Sequence, residues 1–164
     1  MKHKQKVTLS YAYENVQSND IIKLLKLFYT KNVFIEITNI RIDSDFCKSI
    51  QMNQNKYILF QNSPSGTYMD IIISECIDEK FTNTLDEIID SHPELLLLYL
   101  TDLPFENFLY CKSKITNDKI IKKQVCSCVF EIMFDENAFL ISFNSRLFYQ
   151  PDLMCKINQI FMET

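Results

Sequence analysis

A single glycine, Gly66, stands in 164 residues. Phosphate-cradling loops need several glycines so that backbone N–H groups can close around an anion. Neither the dinucleotide fingerprint nor the P-loop can be written with one, which argues strongly against a standard nucleotide-binding enzyme. The same scarcity hands the turns to Asn, Asp, Ser and Pro. Candidate turns are Asn62-Ser63-Pro64-Ser65-Gly66, Asn117-Asp118 and Asp135-Glu136-Asn137.

Between these turns the hydrophobic period predicts the elements. Val7, Leu9, Tyr11 and Tyr13 alternate with polar or small residues, as in a half-buried strand. Ser18-Asn19-Asp20 offers helix-capping chemistry ahead of Ile21, Leu24, Leu25 and Phe28 at helical spacing. Val33–Ile42 is strand-like, and 43–55 is a polar loop or short helix. Residues 56–61 and 67–76 flank the Gly66 turn as a hairpin. Phe81, Leu85, Ile88 and Ile89 make one helical face. Ser91, Pro93 and Glu94 suggest a second short helix that carries the apolar run Leu95–Leu100 and ends at Asp102-Leu103-Pro104. Residues 108–115 and 120–134 read as a long hairpin, followed by a strand over 138–144. Gln150-Pro151-Asp152 opens a last helix with a stripe of Leu153, Met154, Ile157, Ile160 and Phe161. The strands come in hairpin-like groups. The expectation is an α+β fold: one domain over residues 1–164, with a mixed or mainly antiparallel sheet and helices packed on one face. An apolar fraction of 47% is enough for a proper core.

Six cysteines raise the question of disulfides. The basic start, Met1-Lys2-His3-Lys4-Gln5-Lys6, runs directly into the first strand with no apolar signal region behind it. The expectation is a cytoplasmic chain with reduced thiols. No stretch approaches the ~20 apolar residues of a membrane span. Cys126 and Cys128 lie two apart on an expected strand, sharing a face with Phe130, Ile132 and Phe134, which favours burial over zinc binding. The two histidines, His3 and His92, have no nucleophile at recognised spacing. No cofactor, no metal and no catalytic residue is expected.

Charge is distributed unevenly. Residues 70–106 hold ten carboxylates and one lysine, a net charge of −9; the rest holds 16 bases and 11 acids, a net +5. Asp86 and Asp90 are four apart on one helical face with Glu87 beside them. Like charges at that spacing cost a helix about 0.2–0.5 kcal/mol, so folding alone does not select them. Asp78 and Glu79 have a structural reason at the helix start, where they meet the positive end of the macrodipole. A docking surface for a basic protein would draw on Asp78, Glu79, Asp86, Glu87, Asp90, Glu94, Asp102 and Glu106, whose carboxylates would stand in for phosphates. Nucleic acid would be repelled by this face. The basic stretches 2–6 and 112–123 lack the arginines and aromatic motif of a nucleic-acid binder.

In size, acidity and organisation the chain resembles the immunity proteins of bacterial toxin systems, such as contact-dependent inhibition. That resemblance implies a small cytoplasmic α+β protein that covers the active site of a cognate toxin domain and catalyses nothing. Two other classes stay open. Certain poxvirus host-interaction proteins share the Ile-, Asn-, Lys- and Asp-rich composition, although several are all-helical. An enzyme would have to use Cys126 or Cys128 with His92, or a carboxylate pair.

Overall fold

The computed structural model describes residues 7–28, 32–52, 58–62, 66–100, 104–114, 128–143 and 151–162. Among these residues seven strands form one sheet: β1 (Val7–Ala12), β2 (Asn32–Arg41), β3 (Ile58–Asn62), β4 (Tyr68–Cys76), β5 (Leu95–Leu100), β6 (Cys128–Met133) and β7 (Ala138–Phe143). Their spatial order is β1-β7-β6-β5-β2-β4-β3, and every pairing between them is antiparallel. Among the described residues five α-helices accompany the sheet: α1 (Ser18–Leu27), α2 (Asp45–Met52), α3 (Phe81–Asp90), α4 (Phe105–Lys114) and α5 (Pro151–Met162). The chain is an α+β protein with an antiparallel sheet. Among the described residues no helix is long and apolar enough to cross a membrane.

The main core lies between one sheet face and α1, α2, α3 and α5. Ile35, Ile37, Ile71, Ile73, Phe130 and Ile141 from the strands meet Leu24, Leu25, Cys47, Leu85 and Ile157 from the helices. Within this layer α1 packs between α5 and α3, and α3 against α2. The expected helical face is therefore present for four helices. The fifth departs from it: α4 covers the opposite face, where Phe105 and Phe108 join Phe34, Leu97, Tyr99 and Val129 in a second, smaller core.

Two expected elements change identity. Leu95–Leu100 is a strand, not part of a helix. It sits between β2 and β6, with Leu96, Leu98 and Leu100 in the main core and Leu97 and Tyr99 in the second. A strand covered on both faces loses its polar alternation and then cannot be told from a buried helix by period. Residues 108–114 are helix α4, not strand. Pro104 opens this helix instead of closing the one before, and its carbonyl accepts the Phe108 N–H at 3.0 Å. The expected turn at Asn117-Asp118 and the strand over 120–127 lie outside the described residues.

The register of β2 depends on a bulge. Val33, Ile35 and Ile37 face the main core on odd positions, yet Ile40 faces it too, because the register shifts between Ile37 and Ile40. Asn39 takes up the extra residue at φ 56°, a left-handed conformation that Asn tolerates better than most residues. Its N–H donates to Asp70 Oδ1 at 3.0 Å, and its side-chain amide donates to Glu94. The turn before β4 needs Gly66 itself, at φ 72°.

Helix α1 is capped one residue before the expected stretch. Gln17 is the N-cap, and Asp20, three residues on, accepts the Gln17 N–H at 2.9 Å in a capping box. Asp20 is only 8% exposed, so water cannot replace it cheaply. Asp20→Ala should lower stability by about 1 kcal/mol, measured as a shift in the urea midpoint at unchanged slope. A cost near zero would mean that the bond contributes nothing.

Candidate functional site

Helix α3 turns Phe81, Leu85 and Ile88 into the core. Its outer side carries Asp86, Glu87 and Asp90, all exposed. Their neighbours come from two other helices. On one side the Ser18 hydroxyl, in the first turn of α1, donates to the Asp86 carboxylate. Tyr13, Gln17, Ser18, Asn19, Thr82, Asp86 and Ile89 line a shallow cleft there of about 360 Å³. On the other side Glu87, Asp90 and Ser91 face Arg41, Asp43, Ser44, Asp45 and Phe46 across a cleft of about 400 Å³.

The second cleft gathers four carboxylates around one guanidinium. Arg41 is committed to Asp43 through two bonds, Nε at 3.1 Å and Nη2 at 3.2 Å. Both partners are well exposed, so the pair contributes little to stability. It does neutralise part of the cleft and leaves Asp45, Glu87 and Asp90 as its negative rim. The field of the row reaches Tyr13. Burial raises its phenol above the ordinary tyrosine value, and the charges on Asp86 and Asp90 raise it further.

Of the acids expected to share a surface, Asp86, Glu87 and Asp90 are brought together. Asp78 serves the local backbone, because its carboxylate accepts the Lys80 N–H at 2.9 Å in the turn that enters α3. It and the exposed Glu79 lie at the far end of a ten-residue helix from Asp90, about 15 Å away at the usual rise per residue. Glu94 is engaged by the Asn39 bulge. Glu106 is exposed on α4, across the sheet from α3, so no single docking face contains both. Asp102 lies outside the described residues. Asp43 and Asp45 belong to the cleft although the charge pattern did not point to them. Their only signal was the polar character of 43–55, since it is the packing of α2 on α3 that makes them neighbours of Glu87 and Asp90.

The thiol–imidazole alternative meets a geometric obstacle. Cys128 opens β6 opposite Leu100, whereas His92 precedes Leu95 at the other end of β5. Five strand steps, about 17 Å, separate those ends. Cys126 lies outside the described residues. His92 takes φ 52° and its N–H donates to the Ile89 carbonyl at 3.1 Å, the geometry of a residue that ends a helix. Among the described residues no group of three or more His, Cys, Asp or Glu is arranged to hold a metal ion.

Cys47 is fully buried, and burial pushes its thiol up; the hydrogen bond with Ser44 opposes this and the charge on Asp43 adds to it. Cys76 and Cys155 are exposed. Under limiting iodoacetamide, Cys76 and Cys155 should be alkylated roughly a hundredfold faster than Cys47, which must wait for local opening. Peptide mass spectrometry reads the order directly, and fast labelling of Cys47 would contradict its place in the core.

No protein-family model and no curated protein matches the chain. Among solved structures, a crystal structure of aspartokinase alpha and beta subunits is similar over 80% of this chain and 93% of that one, at 8% identity and a TM-score of 0.26. A likeness of that size carries no argument about fold or function.

Proposed function

We propose that this chain is a non-catalytic binding protein that neutralises a basic partner by laying its acidic α3–α2 face over the partner's cationic site. The observation that carries this reading is the convergence of Glu87 and Asp90 with Asp43 and Asp45 around one cleft, with Asp86 exposed beside them on α3. Three carboxylates along one exposed helical face work against the helix, so their use is sought outside the fold. The partner chemistry that fits is a domain built to hold phosphates, such as a nuclease toxin. Its lysines and arginines would meet carboxylates in place of the nucleic-acid backbone. Complementary charge speeds encounter and penalises wrong partners, and exposed acids such as these act over about 8 Å at physiological salt.

The test is co-expression with the product of the gene immediately upstream. In the immunity reading that product arrests growth alone, is tolerated in the presence of this chain, and co-purifies with it in a one-to-one complex. A neighbour that is harmless and forms no complex removes the toxin reading and leaves a basic partner of another kind to be sought.

A further inference from the structure

We infer that the outer edge of β1 is a self-pairing surface, through which two copies of this chain join their sheets antiparallel about Ser10. The direction of the backbone groups carries the argument. Ala12 is paired with Ala138, and the Tyr13 N–H donates to the Asn137 carbonyl at 2.8 Å. In an antiparallel ladder this makes Ala12–Ala138 a non-hydrogen-bonded pair. Tyr11 and Leu9 therefore turn their N–H and C=O groups toward β7, while Thr8, Ser10 and Ala12 turn theirs outward. Among the described residues no strand lies on that side of β1. The side chains of Thr8, Ser10 and Ala12 are all exposed.

Sheet edges are commonly guarded by a lysine, a proline, a bulge or an inward charge. Residues 7–13 contain no charge and no proline, and the β1–β7 register runs unbroken from Val7 to Ala12. The edge is also self-complementary. With Ser10 on a two-fold axis, Thr8 lies opposite Ala12 of the second copy, and these same positions carry the outward N–H and C=O groups. Six main-chain bonds can then form, with only small side chains across the join on that face. On the helical face Leu9 lies opposite Tyr11 of the second copy. Both are half-buried at the rim, where Tyr11 stacks on Phe161 at 4.3 Å between ring centres and donates to Asn158 at 3.1 Å. Pairing would cover this apolar rim. It is an isologous contact and closes at two copies. The cleft of Asp43, Asp45, Glu87 and Asp90 adjoins the end of β2, toward the other end of the strand order from β1, and stays free.

Sedimentation equilibrium of the whole chain over a concentration series tests this. The expected result is a monomer–dimer equilibrium with a limiting mass twice 19.4 kDa. Ser10→Pro takes no bond from the β1–β7 ladder but removes the central outward donor, and should leave a monomer. Ser10→Lys sets two ammonium groups against each other and should raise the dissociation constant by about tenfold or more. Both variants should keep the wild-type circular dichroism. Should Ser10→Pro misfold, Ser10→Lys still decides. A monomer at every concentration overturns the inference, and so does a dimer indifferent to Ser10→Lys. Open-ended growth with concentration would mean head-to-tail pairing of unlike edges and would overturn it as well.

Discussion

Phe108→Ala is expected to lower the stability of the protein by about 3–5 kcal/mol, the usual cost of emptying a buried phenylalanine site. Phe108 is fully buried, and its ring centre lies 5.0 Å from both Phe34 and Tyr99. Those three rings, with Phe105, attach α4 to the sheet. Helix α4 has ten residues, too few to be stable alone in water. Losing its anchor should therefore melt it, exposing Leu97 and Val129. Single domains are stable by only about 5–15 kcal/mol, so the variant is expected to be marginal at 37 °C. Urea unfolding followed by far-ultraviolet circular dichroism measures the loss, with Phe108→Leu as the milder companion. A cost below about 1 kcal/mol would mean that the second core is ornamental and that the four-helix face holds the fold alone.

The second large effect concerns binding. Asp86→Lys, Glu87→Lys and Asp90→Lys together should weaken association with a basic partner by at least about 4 kcal/mol, roughly three decades in Kd. The fold should survive. All three side chains are exposed; the lysines repel one another about as the carboxylates did, and a cation at the C-terminal position 90 of α3, favoured by the macrodipole, offsets the lost Ser18–Asp86 bond. The melting temperature is expected to move by no more than a few degrees. Glu106→Lys, on the opposite face of the sheet, is the control and should leave Kd unchanged. Titration calorimetry at two salt concentrations separates the outcomes. Unchanged affinity in the triple variant, or a loss caused by Glu106→Lys, would discard the α3–α2 face as the docking surface.

The elements that could be read from the chain are those with one wet side. β1, β2, α1, α3 and α5 each carry apolar residues on one face and polar ones on the other, and their period shows through. The hairpins β3–β4 and β6–β7 are announced by Gly66 and by Asp135-Glu136-Asn137, with Asn137 at φ 51°. β5 is hidden because both of its faces are covered. α4 is hidden for a related reason: its core contacts are few, and the exposed Tyr110 beside Leu109 mimics a strand alternation. Half of the candidate site was legible in the same way. Asp86, Glu87 and Asp90 are marked by a repulsion that the helix does not need. Asp43 and Asp45 are not, since a polar stretch 40 residues upstream has no local reason to meet them.

Local chemistry along the chain is enough to establish the class of the protein: alternating and helical periods together, turns built almost without glycine, no phosphate loop, and an acidic middle. Those properties depend on residues close along the backbone, where sterics and hydrophobic period act directly. Packing, by contrast, selected the face of the sheet that α4 covers, made Leu95–Leu100 a central strand, and engaged Glu94 at the Asn39 bulge. It also separated Glu106 from the acids of α3 and brought Asp43 and Asp45 to them. Each of these depends on surfaces meeting over long separations in sequence, and the free energy that selects such a meeting comes from burial shared between elements, which no single segment records.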